Sequence, residues 1–287
     1  MNTINCRGKL LNLSQPVVMG IINATTDSFY EGHLRLNHEA VLTLAGNMIR
    51  DGAAVLDIGG QSTRPGSEPV SVQEETDRVI PVIESIHAAY PEMILSIDSY
   101  YSAVARSAVA AGAGIVNDVS GGNLDAGMIG CVAALQVPYI CMHMQGKPAT
   151  MQKDPVYTNV VTEVLDFFIR KTADCNKAGI KDIIIDPGFG FGKTIEHNFQ
   201  LLRSLDVFSI TNRPILAGLS RKGTISKTLG ITTAEALNGT TVLNTMALMN
   251  GASILRVHDV KEAMEAVTLF NAYKKAPREN PGRNNLY

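Results

Sequence analysis

Eight short runs of apolar, largely β-branched residues recur along the chain, at 17–22, 53–58, 93–97, 114–116, 137–142, 182–185, 214–219 and 252–257. They are continuously apolar rather than alternating, so each reads as a strand covered on both faces, as parallel strands are. Amphipathic stretches fill the gaps, at 38–50, 71–90, 102–111, 125–135, 158–178, 196–205, 234–249 and 260–274. Ser71, with Glu74 three residues on, predicts a capping box at the start of the second stretch. A small repeat supports the helix-to-strand order. Asp51-Gly52-Ala53, Ala111-Gly112-Ala113, Ala178-Gly179-Ile180 and Asn250-Gly251-Ala252 each end a helical stretch just before a strand. Glycine there suits the left-handed position beyond a helix C-terminus. Alternating β and α units with short joins require a parallel sheet. Eight such units in about 260 residues fit a closed (β/α)8 TIM barrel, one α/β domain, better than an open doubly wound sheet.

Of the 287 residues, 45% are hydrophobic and 18% charged, which supplies a large core and excludes disorder. Twenty-five Lys plus Arg against 27 Asp plus Glu leave a net charge of −2, so no basic field for nucleic acid exists. No apolar run reaches the roughly 18 residues that span a bilayer. The opening MNTINCRGKLLNLSQ holds no long apolar stretch, so no secretory signal is expected and the location expected is cytoplasmic. Cys6, Cys131, Cys141 and Cys175 lie far apart with no CxxC, and read as reduced thiols rather than a disulfide or zinc set. Residues 1–15 form an extension with two extended segments around Arg7-Gly8, expected as a hairpin at the barrel bottom. The barrel is expected over 16–275, followed by a loose polar tail at 276–287.

Every strand is followed by polar or ionisable groups. The first ends at Asn23 and the second at Asp57, then Gly59-Gly60-Gln61-Ser62-Thr63-Arg64-Pro65-Gly66. Asp98, Asn117-Asp118, His143 and Asp186 follow the third to sixth. Ser220-Arg221-Lys222 follows the seventh, and Arg256, His258 and Asp259 belong to the eighth. One Asp at a strand end is more often a cap or a structural ion pair than a catalyst. Eight of eight, converging on the face where barrel enzymes keep their sites, point to chemistry. Asp98, Asn117 and Asp186 suit the N–H edge of a flat, nitrogen-rich ring. Ser62, Thr63, Arg64, Ser220, Arg221, Lys222, Arg256 and His258 suit a phosphate-like anion.

Residues 187–194 (PGFGFGKT) approach a Walker A loop but carry Pro187 where its first glycine belongs, so nucleoside triphosphate binding is not expected. His143 reads either as a hydrogen-bonded structural histidine or as a metal ligand. Neither a zinc signature nor a nucleophile elbow is present.

Read together and in order, NATTDSF (23–29), DIGGQSTRPG (57–66), SID (96–98), Asn117-Asp118-Val119, MHMQG (142–146), DPGFGFGK (186–193), SRK (220–222) and RVHDV (256–260) resemble the dihydropteroate synthases of folate biosynthesis, a pterin-binding TIM-barrel family. The likeness covers about residues 16 to 274. It implies a transferase that joins 4-aminobenzoate to the diphosphate ester of hydroxymethyl-dihydropterin. It implies a pterin pocket of Asp98, Asn117, Asp186 and Lys222, with catalysis assigned to Lys222, Asp98 and Arg64. Arg256 and His258 would clamp the diphosphate, with Mg²⁺ held at Asn23. Thr63, Arg64 and Pro65 would belong to the second loop, Asp27 and Glu31 to the first. Phe191 and Ser220 would help hold 4-aminobenzoate. The resemblance also implies a homodimer and a sulfonamide target.

The chemistry agrees with this. Diphosphate leaves readily once its charge is offset, and an aryl amine is already nucleophilic, so no protein nucleophile or strong base is needed. The expectation is dissociative C–O cleavage under loops that exclude water. The first loop departs from the family, with Thr26 in place of proline and Tyr30-Glu31-Gly32-His33 in place of Ser-Asp-Gly-Gly. Gln61 stands where glutamate is frequent. Three other readings compete: a folate-dependent methyltransferase barrel, a non-catalytic pterin-binding relative, and a Schiff-base aldolase using Lys222.

Overall fold

Residues 3–24, 34–61, 69–146, 151 and 155–277 are described by a computed structural model. Strands β1 (Thr3–Cys6) and β2 (Lys9–Asn12) pair antiparallel around a two-residue turn. Arg7 and Gly8 have φ of 55° and 90°, the double positive φ whose twist matches that of a hairpin. The eight apolar runs then give β3 (Val17–Asn23), β4 (Val55–Gly59), β5 (Ile94–Asp98), β6 (Ile115–Asp118), β7 (Tyr139–Met142), β8 (Ile183–Asp186), β9 (Leu216–Ala217) and β10 (Ile254–Val257). All pair in parallel, in the order β8-β7-β6-β5-β4-β3-β10-β9. A parallel bridge between Ile185 and Ile215 joins the two edges, so the sheet closes into the expected single-domain barrel.

Around the sheet stand α1 (Leu34–Arg50), α2 (Val72–Ala89), α3 (Ser102–Ala111), α4 (Met128–Leu135), α5 (Val160–Ala178), α6 (Ile195–Arg203), α7 (Gly223–Leu229), α8 (Leu237–Met249) and α9 (Val260–Lys275). The four helix-ending glycines, 52, 112, 179 and 251, all have positive φ. Successive strand residues alternate between two cores. Those facing out pack under the helices. Those facing in form a layer with one residue from every strand, from Met19 of β3 to Ile254 of β10. Ile4, Cys6, Leu11 and Leu13 of the hairpin region pack on it. Each such fully buried Ile or Leu contributes about 1.5–3 kcal/mol. The hairpin therefore seals the end of the barrel opposite the strand C-termini.

Local chemistry moves several boundaries. The fifth amphipathic stretch becomes helical at Val160, because Asn159 accepts from Thr162 N and caps it. The stretch at 125–135 starts only at Met128, since Asp125 is committed to the amides of Ser102 and Gly127. Residues 205–211 form an unforeseen 3₁₀ helix (Leu205–Thr211). The capping box at Ser71 is half formed. Ser71 Oγ accepts from Glu74 N, but the Glu74 carboxylate pairs with Arg78 instead. A complete box occurs at Thr194, where His197 supplies the reciprocal acceptor.

Candidate active site

The register of the sheet places four strand ends in one row. Asn23 is opposite Gly59, Gly59 opposite Asp98, and Asp98 opposite Asn117. Arg256 reaches into this row from β10. Its Nε donates to Asp57 Oδ2 at 2.6 Å and its Nη2 to Asp98 Oδ2 at 2.6 Å. Asn117 Nδ2 donates to the same Asp57 oxygen at 2.9 Å. Asp57 is fully buried and is the anchor that sequence reasoning left without a role. Its signal was present, because a carboxylate inside VLDIG must find a partner to remain ionised there. Arg256 stays charged: burial would lower its pKa, but Asp57 and Asp98 outweigh that. Burial pushes the Asp98 carboxyl up to about 7 against the opposing pull of Arg256.

On the far side, Asp186 ends β8. Its Oδ1 accepts from Gly188 N at 2.7 Å, which fixes the carboxylate, and its Oδ2 lies on the side of Gly218 and the Lys222 ammonium. Lys222 lies beside it. Its ammonium donates to the carbonyl of Phe189 and sits 4.6 Å above the Phe191 ring, a cation–π contact. Burial raises the Asp186 pKa, opposed chiefly by Lys222, and lowers Lys222 to about 8, opposed by Asp186. Tyr100, Val119, Met142, Met144, Met151 and Phe191 form an apolar cluster at this mouth. Hydroxyl and imidazole pair next to it, Ser220 Oγ lying 3.0 Å from His258 Nδ1 and accepting from His258 N at 3.2 Å.

Asp98, Asn117, Asp186, Arg256 and His258 stand at or next to strand ends on one face, with Phe191, Ser220 and Lys222 in the segments that follow β8 and β9 and exposed Asn23 ending β3. Thr63, Arg64, Pro65, Asp27 and Glu31 lie outside the described residues. Three strand-end residues leave the candidate set. Arg221 is bound through Nε and Nη2 to both oxygens of Asp259, at 2.8 and 2.9 Å, and through Nη1 to the carbonyls of Thr233 and Ala234, so its whole guanidinium is already engaged. Asp118 is buried and accepts from Ser120 N, Ser120 Oγ, Gly122 N and Tyr139 OH, a structural hub for its own loop. His143 resolves to its structural reading. Lys193 Nζ lies 3.0 Å from its Nδ1; with Lys193 charged, that nitrogen is the acceptor and the ring proton sits on Nε2. Burial, with Lys193 beside it, lowers the His143 pKa to about 2. Gln61 links two walls, donating to Glu75 Oε2 at 2.6 Å and accepting from Tyr100 OH at 2.9 Å.

A profile described as pterin binding enzyme matches residues 19–258. The dihydropteroate synthase of Escherichia coli strain K12 is 43% identical over 276 residues, covering 96% of this chain and 97% of its own. The Yersinia pestis dihydropteroate synthase, solved with a sulfonamide drug complex, superposes with a TM-score of 0.90 at 40% identity, covering 96% of this chain and all of that one. The Xanthomonas albilineans dihydropteroate synthase, solved with 4-aminobenzoic acid, gives 0.89 at 41% identity, over 96% and 99% of the two chains. With these matches over nearly its full length, the chain belongs to the pterin-binding enzyme family, among the dihydropteroate synthases.

Proposed function

We propose that this chain condenses (7,8-dihydropterin-6-yl)methyl diphosphate with 4-aminobenzoate, giving 7,8-dihydropteroate and diphosphate, a step of folate biosynthesis. The observation that carries this reading is the gathering of Asp186 Oδ2 and the Lys222 ammonium around Gly218, at the same strand-end face as Asp98 and Asn117. Asp186 Oδ2 accepts from the amino-pyrimidine edge, and Lys222 donates to the ring carbonyl. Asp98 and Asn117 hold the opposite edge. Arg256 and His258 take the diphosphate oxygens, and Phe191 and Ser220 flank 4-aminobenzoate. Thr63, Arg64 and Pro65 complete the proposed substrate-binding set.

Asn23, exposed at the end of β3, offers one amide oxygen, and no cluster of three or more His, Cys, Asp or Glu that could hold a metal occurs among the described residues. That donor set fits Mg²⁺ arriving with the diphosphate, because Mg²⁺ keeps several waters and takes one or two protein oxygens plus phosphate. Asn23 would hold the ion, which when bound offsets negative charge on the leaving group. The chain's own part is electrostatic. Arg256 and His258 neutralise the diphosphate as the C–O bond lengthens, the Asp98 and Asp186 carboxylates favour the electron-poor pterin that results, and the aryl amine then attacks. No side chain acts as a nucleophile.

Residues 16–275 are assigned as the catalytic barrel. A cytoplasmic homodimer accompanies this reading. No helix of the described residues is long and apolar enough to cross a membrane, and exposed Val242, Met246 and Met249 of α8 with Leu269 and Tyr273 of α9 supply an apolar face for a second copy. The test is product formation from the two substrates with and without Mg²⁺. Dihydropteroate and diphosphate in equal amounts are expected; pterin binding with no product under any condition would leave only a pterin-binding relative.

A further inference from the structure

Lys193 is an oddity that neither the pocket nor the apolar core explains. It is 2% exposed, yet its ammonium has no carboxylate within salt-bridge distance among the described residues. It is held instead by neutral acceptors. Nζ lies 3.0 Å from the Gly188 carbonyl, 3.0 Å from the Phe191 carbonyl, 3.3 Å from the His143 carbonyl and 3.0 Å from His143 Nδ1. Those acceptors come from two segments, the one after β7 and the one after β8. The two interlock closely. A Cβ at Gly188 would lie 1.9 Å from the His143 carbonyl oxygen, and one at Gly192 would lie 2.3 Å from that of Gln145. Carbonyls turned inward around one point repel each other unless a cation sits between them.

We propose that Lys193 is a positioning residue whose ammonium clamps the segments after β7 and β8 together, so that the second presents Asp186 and the Lys222 cradle to the pterin. The proposal rests on the functional reading above. The line of force is short. Lys193 fixes the Gly188 carbonyl; the Gly188 amide, on the same residue, fixes Asp186 Oδ1. It also fixes the Phe191 carbonyl, and so the stretch whose Phe189 carbonyl and Phe191 ring hold Lys222. Lys193 touches no reacting atom in this scheme.

Titratable groups face Lys193 from three elements: His143 beyond β7, Asp186 of β8 and Lys222 beyond β9. Burial lowers its pKa to about 7, with Asp186 raising it and Lys222 lowering it further. Burial raises the Asp186 pKa, and the Lys193 charge, behind Lys222, the Gly188 amide and Arg256, pulls it back down. The segment has other anchors that should keep a variant folded. Gly190 N donates to Asn198 Oδ1 at 2.7 Å, and Tyr157 OH donates to the Gly192 carbonyl at 2.8 Å.

The test is calorimetric titration of full-length wild type, Lys193→Met and Lys193→Arg with 6-hydroxymethyl-7,8-dihydropterin from pH 5.5 to 9. Lys193→Met should bind at least tenfold more weakly, and the acid limb of its affinity profile should move to higher pH, because Asp186 loses a neighbouring cation. A merely structural lysine would not move that limb. Lys193→Arg keeps the charge but not the fit, so it should bind threefold to tenfold more weakly with the acid limb in place. Affinity within twofold of wild type and an unmoved limb in Lys193→Met overturns the proposal; should that variant not fold, affinity within twofold in Lys193→Arg does so. Wild type that fails to bind the pterin would sink the functional reading itself, a distinct outcome.

Discussion

Arg256 Nε donates to Asp57 Oδ2 at 2.6 Å, joining β10 to β4 across the inside of the barrel. Asp57 holds Asn117 with the same oxygen, while its Oδ1 is buried without a partner among the described residues. One carboxylate thus sets the direction of both a candidate diphosphate ligand and a candidate pterin ligand. Asp57→Ala should lower stability by about 3–5 kcal/mol, the usual cost of leaving a buried charge without its partner. Denaturant unfolding reads the stability. Pterin affinity should fall as well, because Asn117 is released; unchanged affinity would remove Asp57 from the site's support.

The site should respond to pH in a defined direction. Asp98 is raised from 3.8 to about 7, so its contribution to stability is complete below 3.8 and is lost as pH rises through 7. Lys222 is lowered from 10.5 to about 8, so its contribution is present above 10.5 and is lost as pH falls through 8. Between 7 and 8 both groups therefore weigh against the empty fold. A pterin that donates to Asp98 and accepts from Lys222 relieves this. Its thermal stabilisation of the protein should be larger at pH 7.5 than at pH 5.5, and binding near pH 6.5 should release protons. Calorimetry in buffers of different ionisation enthalpy measures the release; proton uptake would contradict the assignment.

Removing Mg²⁺ should separate the two halves of the substrate. With chelator present, affinity for the pterin diphosphate should fall at least tenfold, whereas affinity for the pterin alcohol, which lacks the anion, should stay within twofold. Asn23→Ala should reproduce the first effect. Equal sensitivity of both ligands would place the ion elsewhere.

The strands and their order are legible in the sequence because burial on both faces leaves uninterrupted runs such as 182–185, and because Gly52, Gly112, Gly179 and Gly251 mark each return to the sheet. The face that carries the site follows from the same order. What stays hidden is the partner of each polar group. Arg221 and Lys222 are adjacent and chemically alike in the sequence, yet Asp259, 38 residues away, captures the first and leaves the second to Phe189 and Phe191. Asp118 and Asp98 both end strands, but Tyr139 OH and the amides around Gly122 saturate only Asp118. Lys193 sits in a glycine-rich run that suggests phosphate, and only the inward carbonyls of Gly188 and Phe191 reveal a buried clamp. Pairing of this kind is long-range, and no local propensity encodes it.

Asp186 tests the central claim most directly, since one of its oxygens is already fixed by Gly188 and the other lies on the side of Gly218 and Lys222. Titration of wild type, Asp186→Ala and Asp186→Asn with 6-hydroxymethyl-7,8-dihydropterin is the measurement. Wild type should bind, and each variant should lose about 1–3 kcal/mol or more, because a buried N–H edge is left without its acceptor. Binding by both variants as tight as wild type would contradict a pterin held at the strand ends of this barrel.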